Sequence, residues 1–133
     1  MALMNPDPVR KGEFLHQDTT QEIIGAAFEV YKHLGYGYLE KVYQRAMQVE
    51  LLRRGIKAEL EHPIKVQYKG VVVGEYAADL LVAGQVVVEL KVAPDYCSSD
   101  EAQLLNELVS TGIKVGLLIN FGRDKVQFKR VIH

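Results

Sequence analysis

Asp79, Glu89 and Lys91 are the residues whose types and spacing best suit chemistry in this chain. Glu89 and Lys91 stand two apart in Val-Val-Val-Glu-Leu-Lys-Val, and Asp79 lies in Ala-Ala-Asp-Leu-Leu-Val. Side chains alternate faces along a strand, so Glu89 and Lys91 share one face with Val87, while Val86, Val88, Leu90 and Val92 share the other. A carboxylate among apolar neighbours is costly unless a metal ion or a lysine pairs with it. Asp79 and Glu89 are hard oxygen ligands suited to Mg²⁺ or Mn²⁺, and the backbone carbonyl of Leu90 could add a third oxygen. Lys91 would then stand beside the metal, able to orient a hydroxide or to neutralise charge in a phosphoryl transition state. A bound ion would lower the pKa of its water and polarise the phosphoryl oxygen. Spacing alone also fits a hairpin with a solvated charged face, because strands often carry ion pairs.

Register decides whether these residues meet. If Asp79 opposes Glu89, Val82 pairs with Val86 and a three-residue turn remains at Ala83, Gly84 and Gln85. A two-residue turn at Ala83-Gly84 would set Asp79 opposite Val88 and send Glu89 to the other face. The site therefore requires the three-residue turn, a bulge, or splayed strands.

The elements that position the site follow from periodicity. Thr19 and Glu22 fit a capping box, and Ile23, Ile24, Ala27, Phe28, Val30, Tyr31 and Leu34 recur at helical spacing until Gly35. A second helix is expected from about Tyr38 to Arg54, with an apolar stripe of Leu39, Val42, Tyr43, Ala46, Val49 and Leu52. Strands follow after Pro63, over about Val71 to Val82, and over Val86 to Val92. Ser98 and Glu101 suggest a second capping box, opening a helix with Ala102, Leu104, Leu105, Leu108 and Val109 inward. Val115 to Ile119 reads as a buried strand, and Val126, Phe128 and Arg130 alternate in a last one. The order α-α-β-β-β-α-β-β implies an α/β (α+β) fold, a mixed sheet flanked by helices, with the third helix as a crossover. Residues 1–17 are expected to form a flexible arm, and 18–133 one domain.

Composition narrows the function. A chain of 133 residues suits one core. A net charge of -1 weighs against gripping nucleic acid mainly through a basic surface. No apolar run approaches the roughly 20 residues that span a bilayer. The single cysteine, Cys97, forbids an internal disulfide and suggests a reducing, cytoplasmic setting. His16, His33, His62 and His133 lack zinc-ligand spacing. Tyr36, Tyr38 and Tyr43 suit helix packing better than base stacking.

Further segments carry a family resemblance. Gly35-Tyr36-Gly37-Tyr38-Leu39-Glu40-Lys41-Val42-Tyr43 and Glu50-Leu51-Leu52-Arg53-Arg54-Gly55 resemble the opening of the GxxExxxR family, assigned to the PD-(D/E)xK nuclease superfamily. Ala78 to Val82, Val88 to Lys91, Ala102 to Asn106 and Gly116 to Gly122 agree in order. The resemblance runs from about Thr19 to Ile132. It implies a restriction-endonuclease-like core, Asp79, Glu89 and Lys91 at the signature positions, and a divalent metal. It also implies Glu40 as an added metal ligand and Gln103 as the glutamine of a Q-x-x-x-Y motif beside the site. On its own residues Glu40 is a first-turn acid favoured by the helix dipole, and Gln103 a surface glutamine. Two positions depart from the pattern. Gln44 stands where the arginine of the family name falls, and Glu107 where tyrosine is usual; both put substrate contacts in doubt.

The function this implies is a Mg²⁺- or Mn²⁺-dependent phosphodiesterase acting on nucleic acid, DNA in the leading reading. Superfamily members serve restriction, repair, recombination and mobile-element roles, and fold alone does not choose among them. The alternative is a non-catalytic nucleic-acid or protein-binding module of the same fold. No membrane partner is expected, and a homodimer is one way for so small a chain to hold a duplex.

Overall fold

The computed structural model describes residues 15–133; most of the expected N-terminal arm lies outside them. Two helices, α1 (Gln17–Leu34) and α2 (Glu40–Arg53), precede three strands, β1 (Ala58–Tyr68), β2 (Val71–Val82) and β3 (Val86–Lys91). Helix α3 (Asp100–Thr111) then leads to β4 (Val115–Phe121) and β5 (Val126–Ile132). The strands form one sheet in the order β1-β2-β3-β4-β5. Strands β3 and β4 are parallel and the other neighbours antiparallel. A parallel pair needs a crossover, and α3 supplies it. Pro63 lies within β1, which is tolerable because β1 is an edge strand.

The sheet has an apolar layer on each face. Ile23, Ala27 and Val30 of α1 and Tyr43, Met47 and Leu51 of α2 pack on Leu80, Val82, Val86, Val88, Leu90 and Leu117. On the other face Leu104 and Leu108 of α3 cover Ile64, Ala78, Leu81, Val87 and Leu118. Each fully buried leucine of α3 contributes roughly 1.5–3 kcal/mol. The helix can sit this close because Gly116 lies beneath it. A Cβ there would stand 3.0 Å from the Leu104 side chain.

The structure corrects several local expectations. Helix α1 starts at Gln17, and the Thr19–Glu22 capping box does not form. Thr19 instead bonds to Gln85 at 3.2 Å, and Glu22 pairs with Arg54 at 3.2 Å. The Ser98–Glu101 box is likewise absent: no side chain caps α3, and the Glu101 carboxylate accepts the Tyr96 hydroxyl at 2.6 Å. Helix α2 is rotated from the expected stripe. Leu39, Val49 and Leu52 are 79%, 58% and 70% exposed, while Tyr43, Gln44, Met47 and Leu51 turn inward. The aromatic stack of Tyr43 on Phe121, 4.4 Å between centroids, fixes that face. Tyr43 is thus a packing residue, and its hydroxyl donates to the Gly35 carbonyl. On α3, Ala102, Leu105 and Val109 face outward and Glu107 faces in. Among the described residues no helix is long and apolar enough to cross a membrane.

Candidate active site

The hairpin between β2 and β3 has the register that brings Asp79 toward Glu89. Val82 pairs with Val86, leaving Ala83, Gly84 and Gln85 as a three-residue turn. Ala83 and Gly84 both take left-handed conformations, at φ 54 and φ 65, and the Gln85 amide donates to the Val82 carbonyl at 2.9 Å. Pairing of β2 with β3 ends at Leu80 and Val88. Strand β3 continues to Lys91 along β4 alone. The two strands therefore part at Asp79.

The strand turns over at that point. Leu80 and Val82 belong to the layer under α1 and α2, whereas Ala78 belongs to the layer under α3. A regular strand would keep these three on one face. Glu61, across β1 from Asp79, is left-handed at φ 51, so both strands kink together. Buried Gln44, 3% exposed, holds the kink from α2: its amide donates to the Asp79 carbonyl at 2.9 Å.

The parted strands leave backbone groups without strand partners, and the acidic side chains take them up. The Leu90 amide donates to Asp79 Oδ2 at 2.7 Å, and the Asp79 amide donates to Glu89 Oε1 at 3.4 Å, the limit of a hydrogen bond. A residue's N–H and C=O point to the same edge of a strand, so the Leu90 carbonyl also faces this gap. Beyond β3, Asn120 secures the exit. Its amide accepts from the Ala93 N–H and donates to the Ala93 carbonyl, both at 3.0 Å.

Four carboxyl groups and one lysine interact here: Glu40, Asp79, Glu89, Glu107 and Lys91. Partial desolvation, then the charge of Asp79 and a hydrogen bond with it, push Glu40 up to about 7 against the pull of Lys91. Burial, then Asp79 and Glu107, push Glu89 up to about 9. Glu107 is raised chiefly by burial, while its hydrogen bond with Glu89 works the other way. Like charges gathered away from water disfavour ionisation, and one ammonium cannot neutralise four acids.

This donor set fits a hard divalent cation. All donors are oxygens, and their mutual repulsion is what a cation relieves. Among the described residues no group of three or more His, Cys, Asp or Glu side chains is arranged to cage an ion by itself. Oxygen donors alone suit Mg²⁺ or Mn²⁺ better than zinc, which favours nitrogen and sulfur ligands.

The expected residues fall into two groups. Asp79, Glu89, Lys91 and Glu40 come together, with the Leu90 backbone beside them. Gln103 stands apart. Its side chain makes no hydrogen bond to another described residue, and it lines a cleft of about 310 Å³ between α3 and the β1–β2 hairpin, with Ile64, Val66, Tyr76, Glu107 and Ser110. Sequence reasoning missed Glu107 and Gln44 as members of the site. The signal was present: Glu107 lies between Leu104 and Leu108 on the inward face of α3, and Gln44 between Tyr43 and Met47.

A five-stranded mixed sheet carrying acidic residues where two strands part is consistent with the restriction-endonuclease-like class of α/β protein. Residues 17–131 match the PD-(D/E)XK nuclease superfamily, and the chain belongs to it. The crystal structure of SSO0001 is similar at 15% identity, with a TM-score of 0.52, over 92% of this chain and 61% of that chain. This chain thus spans less than two thirds of SSO0001, and the likeness shows the fold alone. No curated protein sequence matches.

Proposed function

We propose that this protein is a divalent-metal-dependent phosphodiesterase of the GxxExxxR kind that cleaves DNA. The carrying observation is the parting of β2 from β3 at Asp79, which gathers Asp79, Glu89 and Glu40 beside Lys91. Asp79, Glu89, Glu40 and the Leu90 carbonyl would hold Mg²⁺ or Mn²⁺. When bound, the ion supplies a water of lowered pKa and polarises the phosphoryl oxygen. Lys91, on the same strand as Glu89, orients the attacking water and stabilises the charge that develops on the phosphoryl oxygens. Gln103, at the α3 cleft, contacts a phosphate of the entering strand. Gln44 and Asn120 act through the backbone, fixing Asp79 and the chain after Lys91. The expected result is tight Mn²⁺ binding by the wild-type protein and at least tenfold weaker binding by Asp79→Ala, measured by calorimetry. Equal affinity in the two proteins would refute the ligand assignment.

A second reading, a non-catalytic nucleic-acid or protein-binding module, draws on one observation. Buried Glu107 lies close enough to Glu89 to help raise its pKa, so the signature acid already interacts with another acid of the same chain. It predicts DNA or partner binding indifferent to divalent metal.

A further inference from the structure

The cleft of about 310 Å³ between α3 and the β1–β2 hairpin is built from two unlike walls. Gln103, Asn106, Glu107 and Ser110 line it from one face of α3, and Ile64, Val66 and Tyr76 from the hairpin. Ile64 is buried, whereas the Tyr76 ring is 54% exposed. Gly74 keeps the space beside that ring open, since a Cβ there would meet Tyr76 at 3.8 Å and Val66 at 3.9 Å. Gln103, Asn106 and Ser110 make no side-chain hydrogen bond to another described residue. Glu107 is 4% exposed, and its Oε2 is buried without a hydrogen-bond partner among the described residues. A buried acceptor left unpaired is costly and calls for a donor.

We infer that this cleft takes one unpaired nucleobase bearing an exocyclic amino group, from the strand that enters the acidic cluster. The inference rests on the nuclease reading above and names its substrate as single-stranded DNA. An apolar floor, an exposed aromatic ring and a few free polar groups are what single-strand recognition uses: the ring stacks and the base edge is hydrogen-bonded. The volume lies at the small end of the roughly 300–1,000 Å³ range of organic-ligand pockets, which suits one base. The base lies against Tyr76 over Ile64 and Val66, and its amino group donates to Glu107. Asn106 and Ser110 hold its remaining polar edge, with Gln103 on the neighbouring phosphate. Thymine presents a carbonyl oxygen where cytosine and adenine present the amino group. A net charge of -1 leaves little affinity to phosphate neutralisation, so base contacts must supply it. Extruding a base from a duplex costs its stacking and pairing, so the cleft favours single strands.

The test is fluorescence anisotropy of the full chain in EDTA with labelled oligo(dC), oligo(dA), oligo(dT) and a duplex, comparing wild type with Tyr76→Ala and Glu107→Gln. Tyr76 is exposed and glutamine is nearly isosteric with glutamate, and a thermal melt confirms that each variant is folded. Wild type should bind oligo(dC) or oligo(dA) about tenfold more tightly than oligo(dT) and than the duplex. Tyr76→Ala should weaken binding of the preferred strand about tenfold. Glu107→Gln should erase the preference over oligo(dT), which a merely structural glutamate would not do. Equal affinity for the three homopolymers, a preference that survives Glu107→Gln, tighter binding of the duplex, or no binding overturns the inference. Because no metal is present, the result is separable from cleavage: metal-dependent cutting without base preference overturns the cleft alone, and base preference without cutting overturns the nuclease reading alone.

Discussion

Replacing Glu89 with glutamine should stabilise the metal-free protein, and more so as pH rises. Glu89 is raised from the ordinary glutamate range to about 9, first by burial and then by Asp79 and Glu107. Between the unfolded-state value and about 9, the unfolded chain has lost the proton and the native chain keeps it. The native state therefore binds more protons, and stability falls as pH rises through that window. One pKa unit corresponds to about 1.4 kcal/mol. At pH 8 the ceiling on this cost is therefore about 5 kcal/mol, and relaxation and water penetration around the carboxyl reduce it to ~2–3 kcal/mol. The substituted glutamine would keep the shape without the titration. In EDTA at pH 8, Glu89→Gln should melt roughly 10 °C above wild type. The gap should shrink toward pH 5, where both states hold the proton more nearly alike. Chemical denaturation across pH 5–9 measures this. A variant no more stable than wild type at pH 8, or a gap independent of pH, would refute the claim that the Glu89 carboxyl is strained in the metal-free site.

Three further substitutions test the surrounding frame. Gly116→Ala places a Cβ 3.0 Å from Leu104 and should cost about 1–3 kcal/mol by denaturant titration, since α3 must lift from the sheet. Gln44→Leu leaves the Asp79 carbonyl unpaired and should cost about 1–3 kcal/mol, with a fall in Mn²⁺ affinity that a merely structural glutamine would not show. Asn120→Ala frees both backbone groups of Ala93 and should raise amide hydrogen exchange at Ala93 while leaving exchange at Val86 to Val88 protected.

The parts of the fold legible in the sequence were those where period and punctuation agree. The run Val86 to Val92 and the apolar Val115 to Ile119 gave element type and order, and the three-residue turn at Ala83 to Gln85, which the site required, is the register observed, because a one-residue slip would have sent Glu89 and Lys91 to the other layer. The inward face of α2 was not legible. Leu39, Val49 and Leu52 form as good an apolar stripe as Tyr43, Met47 and Leu51, and the choice is made by Phe121, far along the chain. The capping boxes failed for a related reason: Thr19 and Glu22 found tertiary partners in Gln85 and Arg54, and Glu101 a closer one in the loop residue Tyr96. At the site, alternation put Glu89 and Lys91 on one face, but it does not hold across Asp79, where β2 turns over, and Glu107 and Gln44 read as departures from a pattern. Polar residues on an inward helical face were the available clue, and their partners, Glu89 and the Asp79 carbonyl, are set by packing.

Metal-dependent cleavage at this cluster is tested most directly by degradation of labelled single- and double-stranded DNA. Wild-type protein with Mg²⁺ or Mn²⁺ should cut at least one of the two forms, EDTA should stop it, and Lys91→Ala should reduce the rate by about a hundredfold or more, as expected for loss of a charge that stabilises the transition state. DNA left intact in both forms, or cleavage that survives EDTA or Lys91→Ala, would contradict the account.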